Sequence, residues 1–114
     1  MTSHLKLCNA FALSMLPGFP SEGREWLVKV EALSLEQARA TLADGFESLV
    51  GHSDTAKMLS SLLGLSVSCV RKDLTLKAGD SLIVAQYAGP RLPEGSSVLP
   101  PDAKVQWAKV SCLS

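Results

Sequence analysis

Ser81-Leu82-Ile83-Val84-Ala85-Gln86-Tyr87 is the stretch that decides the fold of this chain. From Leu82 to Ala85 every position is apolar, with β-branched Ile83 and Val84 at the centre. A strand with one wet face alternates polar and apolar residues, whereas an unbroken apolar run marks a strand covered on both faces. This segment therefore belongs in the middle of a layered fold.

Working outward, Ala78-Gly79-Asp80 reads as a hairpin turn that feeds this strand from two short β-prone pieces, Leu65 to Val70 and Asp73 to Lys77. A Pro- and Gly-rich loop follows from Gly89 to Pro101, and Lys104 to Leu113 is expected to be a closing strand. Towards the N-terminus, Ala56, Leu59, Leu62 and Leu63 recur at helical spacing. They predict a helix from about Ser53 to the stop signal at Gly64, with Asp54 suited to its positive end. Ser34-Leu35-Glu36-Gln37 is a capping box ahead of Leu35, Ala38 and Leu42, so a second helix is expected to end near Asp44-Gly45. Trp26 to Ala32 reads as a strand. Leu5 to Phe11 reads as another, running into Leu13 to Leu16 before Pro17-Gly18-Phe19-Pro20 turns the chain. Strands, two helices and strands again predict an α/β fold: one domain over residues 1–114, a mixed β-sheet of about five strands flanked by helices.

The bulk properties set limits on function. In 114 residues with 46% apolar content there is enough material for a core without staples. Eleven Lys plus Arg balance eleven Asp plus Glu, and the pI is near 6.7. No broad basic field exists to hold long DNA or RNA, while a small, compact anion remains a suitable ligand. Cys8, Cys69 and Cys112 are far apart with no Cys-x-x-Cys, which indicates neither a disulfide framework nor a metal knuckle and fits a reducing interior. The first residues alternate rather than forming a signal peptide, and no run reaches membrane-spanning length, so a soluble, cytoplasmic protein is expected. No Gly-x-Gly-x-x-Gly, P-loop or zinc signature is present, and neither cofactor nor metal is expected.

Chemistry centres on Gly51-His52-Ser53-Asp54-Thr55-Ala56 and on Arg91-Leu92-Pro93-Glu94-Gly95. Histidine titrates near neutrality, and a helix start offers unpaired N–H groups to an anion. His52 is thus placed to meet a phosphate and donate a proton. Arg71 and Arg91 offer planar forks for phosphate oxygens, and Glu94 can orient a ribose hydroxyl. RNA cleavage by the substrate's own 2′-hydroxyl needs little more, because the protein supplies only alignment, charge and an acid. Taken singly, each residue also has an ordinary interpretation. His52 can be a simple helix-entry residue, Arg71 part of a solvated turn, Arg91 a surface residue, Glu94 a turn carboxylate and Asn9 a turn cap. His4 has no partner in sequence and is expected to be inert. Cys8 and Cys112 are expected to fill the core, and Trp26 and Trp107 to serve core or interface.

Asn9-Ala10-Phe11, Ser14-Met15-Leu16, Gly51-His52 with Thr55-Ala56, Leu63-Gly64, Arg71, Gly79-Asp80 and Arg91-Leu92-Pro93-Glu94-Gly95 together resemble one family from residue 5 to residue 113. It is the viral type III anti-CRISPR ring nuclease family, with relatives in bacteria and archaea. The resemblance implies a homodimer that closes over cyclic tetra-adenylate and cuts it without metal to linear di-adenylate ending in a 2′,3′-cyclic phosphate. That would switch off type III CRISPR signalling. By position it implies that His52 is the general acid and that Arg91 and Glu94 are paired active-site residues. It makes Arg71 a ligand-gripping arginine and places Asn9, Ala10, Phe11, Ala12 and Gly51 along the ligand site. A twofold dimer suits a ligand that is itself symmetric. The chain departs from the pattern in two places. Ala12 stands where many members carry serine, so a hydroxyl is missing near the ligand unless Ser14 replaces it. Ser96 to Ala103, with Pro100-Pro101, is too short and proline-rich for the helix some members place there. Ala12 motivates the alternative of a binding protein that sequesters the ring without turnover. A small interaction protein with no nucleotide ligand is a third alternative.

Overall fold

The computed structural model describes residues 5–90 and 99–113. Its strands are β1 (Leu5–Cys8), β2 (Val28–Leu33), β3 (Glu47–Ser48), β4 (Ser81–Ala88) and β5 (Lys104–Cys112). Its helices are α1 (Leu35–Leu42) and α2 (Ser53–Leu63), with a single 3-10 turn at Leu13–Met15. The strands form one mixed sheet in the order β2-β5-β4-β1-β3. β1 runs parallel to both β3 and β4, whereas β5 is antiparallel to β4 and to β2. The α/β class and the five-strand mixed sheet are as the sequence predicts. None of the described helices is long and apolar enough to cross a membrane.

β4 is central, and Leu82, Ile83, Val84 and Ala85 are all buried, which accounts for the unbroken apolar run. Alternate residues serve two separate cores. Ile83 and Ala85 join Leu7, Trp107 and the inward stripes of the helices, including Ala38, Leu42, Ala56, Leu59 and Leu63. Leu82 and Val84 join Cys8, Val110 and Cys112 on the opposite face. Among the described residues no α-helix covers that second face. It is closed by irregular chain, with Phe11, Met15, Leu74 and Leu76 packed against it, and the Leu76 N–H donates to the Met15 carbonyl at 2.7 Å. Cys8 and Cys112 are core residues as expected. So is Trp107, at 7% exposure, which therefore offers no surface for a partner.

Local chemistry sets the helix limits. The Ser34 hydroxyl accepts from the Gln37 N–H at 3.1 Å and the Gln37 side chain accepts from the Ser34 N–H at 2.9 Å, completing the capping box of α1. α2 stops at Gly64, whose φ of 66° is a left-handed cap that glycine adopts without penalty. Arg39 on α1 reaches across to the end of α2, donating from Nε to the Leu63 carbonyl at 3.0 Å and from Nη2 to the Leu62 carbonyl at 2.8 Å. A cation at a helix C-terminus satisfies orphan carbonyls and complements the dipole.

Several expectations need correction. β1 stops at Cys8 rather than Phe11, because the chain bends at Asn9 and drops Phe11 and Met15 beneath the sheet. β2 starts at Val28, not Trp26. The Trp26 indole instead donates to the Pro17 carbonyl at 2.8 Å and packs on Phe19, with ring centroids 5.4 Å apart. Leu65 to Val70 and Asp73 to Lys77 are not strands. Only a single parallel bridge, Val50 to Cys69, forms there, and Leu74 and Leu76 are used as lids on the second core. With no strand before it, Ala78-Gly79-Asp80 is not a hairpin. It is a turn in which the Asp80 N–H donates to the Lys77 carbonyl and the Asp80 carboxylate accepts from the Lys77 N–H, both at 2.9 Å. β3 has only two residues, too few to carry a periodicity. His4 and Ser96 to Val98 lie outside the described residues, and Pro100 to Ala103 is a turn closed by the Ala103 N–H on the Pro100 carbonyl.

Candidate functional site

Three parallel strands, β1, β3 and β4, end on the same side of the sheet. Open α/β sheets bind ligands outside such carboxyl ends, where loops leave the strands. Asn9, Ala10, Phe11 and Ala12 follow β1 directly, and Gly51 and His52 follow β3 by three and four residues. β4 runs out at Ala88 on this side, and the Tyr87 hydroxyl donates to the Pro90 carbonyl, holding the exit of that strand.

His52 is the N-cap of α2, with extended backbone at φ −123° and ψ 127°. Its carbonyl accepts from the Ala56 N–H at 2.9 Å, while its imidazole makes no capping bond and is exposed. The positive end of the eleven-residue helix α2 lies directly behind His52. Asp54 occupies the first turn, as expected.

Arg71 arrives beside this helix start by a different route. After α2 the chain returns along the segment that follows β3. The Ser48 hydroxyl donates to the Ser68 carbonyl at 2.6 Å, the Val70 N–H donates to the Val50 carbonyl at 2.9 Å, and the Arg71 Nε donates to the Gly51 carbonyl at 2.8 Å. A Cβ on Gly51 would lie 3.6 Å from Arg71 Cγ, so the two residues are in close packing contact. The rest of the guanidinium is exposed. Next to it, Lys72 lies 3.9 Å from the Glu47 carboxylate in an exposed pair. Lys72 was not foreseen as part of this edge; its adjacency to Arg71 in sequence is the one available signal.

On the β1 side, Asn9 is half-buried with its Oδ1 3.9 Å from the Cys8 thiol. Ala10 and Ala12 are exposed, and Ala12 begins the 3-10 turn, with its N–H 3.4 Å from the Met15 sulfur. Phe11 is half-buried against the second core. Ser14, within that turn, is exposed. Gly51, His52 and Arg71 are thus brought together, and Asn9 to Ala12 open on the same side of the sheet. Arg91 and Glu94 lie outside the described residues. Among the described residues, no three His, Cys, Asp or Glu side chains cluster to hold a metal ion.

Comparison with known proteins gives this architecture a context. The family model described as STIV B116-like matches residues 5–103. The chain belongs to the STIV B116-like family. That match runs from β1 to the threshold of β5 and takes in every described residue of the candidate site. One family relative is Uncharacterized protein 26 of Sulfolobus islandicus filamentous virus (isolate Iceland/Hveragerdi). It is 30% identical over 95 residues, which cover 82% of this chain and 75% of that protein. Among solved structures, B116 of Sulfolobus turreted icosahedral virus superposes with a TM-score of 0.74 at 21% identity, over 94% of this chain and 97% of that one. The fold is therefore shared with viral proteins of this family.

Proposed function

We propose that the chain is a metal-independent ring nuclease that converts cyclic tetra-adenylate to linear di-adenylate ending in a 2′,3′-cyclic phosphate. The observation that carries this reading is the Arg71 Nε bond to the Gly51 carbonyl, which holds a guanidinium fork of the kind that suits phosphate beside a histidine at a helix N-terminus. The spaced motifs that resemble the ring nuclease family supply the substrate.

In this mechanism a ribose 2′-oxygen attacks the neighbouring phosphorus, the 2′-O–P bond forms and the P–O5′ bond breaks. The His52 imidazolium gives its proton to the departing 5′-oxygen, and the 2′-hydroxyl proton leaves to solvent. Arg71 and the N–H groups of α2 counter charge on the phosphate oxygens as it grows. Arg91 and Glu94 complete the set as charge stabiliser and ribose-orienting group. Two copies facing a symmetric ring would make one cut each.

A second reading is sequestration of the ring without turnover, favoured by Ala12, which brings a methyl group where a hydroxyl is expected. Incubation of purified protein with radiolabelled cyclic tetra-adenylate in EDTA, followed by denaturation, distinguishes the two. The nuclease reading expects di-adenylate product, whereas intact ring recovered in stoichiometric complex would establish the sponge. Ring that neither binds nor changes would remove both.

A further inference from the structure

Lys72 directly follows Arg71 in the chain, yet its ammonium is drawn away from the edge that Arg71 serves. Its Nζ lies 3.9 Å from Glu47 Oε1. Glu47 is the first residue of β3, whereas Gly51, the partner of Arg71, lies beyond the last one. Lys72 is therefore folded back along β3 while Arg71 is held past its far end. The two side chains of the pair are 66% and 49% exposed, and an ion pair so open to water contributes little to stability. Breaking it costs little.

Glu47 has a second cation to face. In the β1–β3 register it stands opposite Lys6, and residues opposite one another in a ladder show their side chains on the same face. The Lys6 Nζ is in turn 3.8 Å from Asp80 Oδ2, a buried carboxylate that also accepts from the Lys77 N–H. Charges of alternating sign thus run from Lys72 through Glu47 and Lys6 to Asp80, from the outer edge of the sheet to the start of β4. Taking Lys72 away leaves Glu47 still facing Lys6. The chain on either side of Lys72 is fixed, by the Arg71 bond to Gly51 and by Leu74 packed on the second core, so the part free to move is the flexible four-carbon stem.

We propose that Lys72 is a second phosphate-binding cation of this site, parked on Glu47 in the free chain and handed over to the ring when it binds. The inference rests on the ring nuclease reading above. A cyclic oligoadenylate carries one phosphate per nucleotide, more anionic groups than the Arg71 fork alone can meet, and an ammonium acts as a point charge that accepts a phosphate in any orientation. The exchange replaces a loose carboxylate partner by a phosphate oxygen. Glu47 then acts as a brake on affinity, because each binding event must first release Lys72 from it.

Calorimetric titration of cyclic tetra-adenylate into a His52→Ala parent chain, repeated over about 50 to 200 mM salt, tests it. Adding Lys72→Met is expected to weaken binding about threefold to tenfold and to lower the slope of log affinity against log salt by about 0.7, the value of one lost phosphate contact on a single strand. Glu47→Gln should act in the opposite direction, tightening binding about twofold to fivefold by releasing Lys72. With Lys72→Met already present, Glu47→Gln should change nothing, since the two residues act through one contact. Three results would each overturn the role of Lys72 while leaving ring binding in place: Lys72→Met with the parent's affinity and slope, Glu47→Gln that fails to tighten binding, or a gain from Glu47→Gln that survives the loss of Lys72. A parent chain that does not bind the ring would overturn the nucleotide reading, and this inference with it.

Discussion

Arg71 and Gly51 are joined by a 2.8 Å hydrogen bond from the guanidinium Nε to the main-chain carbonyl. That carbonyl belongs to the residue immediately before the N-cap of α2. One edge of the arginine fork is thereby spent on orientation, and the Nη groups are held next to the helix start. Lysine, a compact ammonium on a flexible stem, cannot reproduce both functions. Arg71→Lys is expected to weaken cyclic tetra-adenylate binding about tenfold or more, given about 1.5–3 kcal/mol for hydrogen bonds to charged groups. Calorimetric titration in a non-cleaving background checks this, and unchanged affinity would remove Arg71 from the ligand site.

His52 is exposed and uses only its backbone to support α2. His52→Ala should therefore leave thermal stability within about 0.5 kcal/mol of wild type. If the chain cleaves the ring as proposed, with His52 as its general acid, the same variant is expected to slow cleavage about 10² to 10⁴-fold while ring binding persists. Full single-turnover activity in this variant would show that another group protonates the leaving oxygen.

Arg39 links the two helices by donating to the Leu62 and Leu63 carbonyls. Arg39→Met keeps much of the apolar stem but removes both donors at the end of α2. Each such bond contributes about 0.5–1.5 kcal/mol, so a loss of about 1–2 kcal/mol is expected in urea denaturation. A midpoint equal to wild type would mean that water replaces the guanidinium without cost.

Gly89 has a φ of 150°, and a Cβ placed there would lie 2.6 Å from the Ala103 Cβ and 2.7 Å from its Cα. One of those atoms is backbone, so the clash cannot be relieved by a rotamer change. Gly89→Ala is expected to destabilise the chain by about 1–3 kcal/mol, measured by chemical denaturation. Because Gly89 directly follows β4, hydrogen exchange at the β4–β5 end should rise as well.

The helices were legible because their signals are local. Ser34 and Gln37 cap within one turn, Gly64 ends α2 where its left-handed backbone is needed, and the apolar stripes repeat over two or three turns. The apolar run of β4 was legible because both of its faces are buried. The pieces from Leu65 to Lys77 were not, since Val67, Leu74 and Leu76 have strand-like composition yet serve as irregular cover, tied down by the Ser60 hydroxyl and the Met15 carbonyl. Tertiary burial, not pairing, consumes their apolar surface. At the candidate site, His52 was legible from its place before a helix. The contact of Arg71 with Gly51 was not, because it depends on the return of the chain along residues 65–71, which no local pattern specifies.

Residues Leu5 to Cys8 pair with Ser81 to Val84, so β1 finds its central partner only after the chain through β4 has emerged. Such long loop closures are slow, whereas β4 and β5 are nearer in sequence and antiparallel. During synthesis, then, the strand leading to Asn9 can meet only the two residues of β3 until the β4 sequence emerges. A nascent chain halted before residue 84 holds the histidine-bearing helix sequence but lacks the sheet that would orient it.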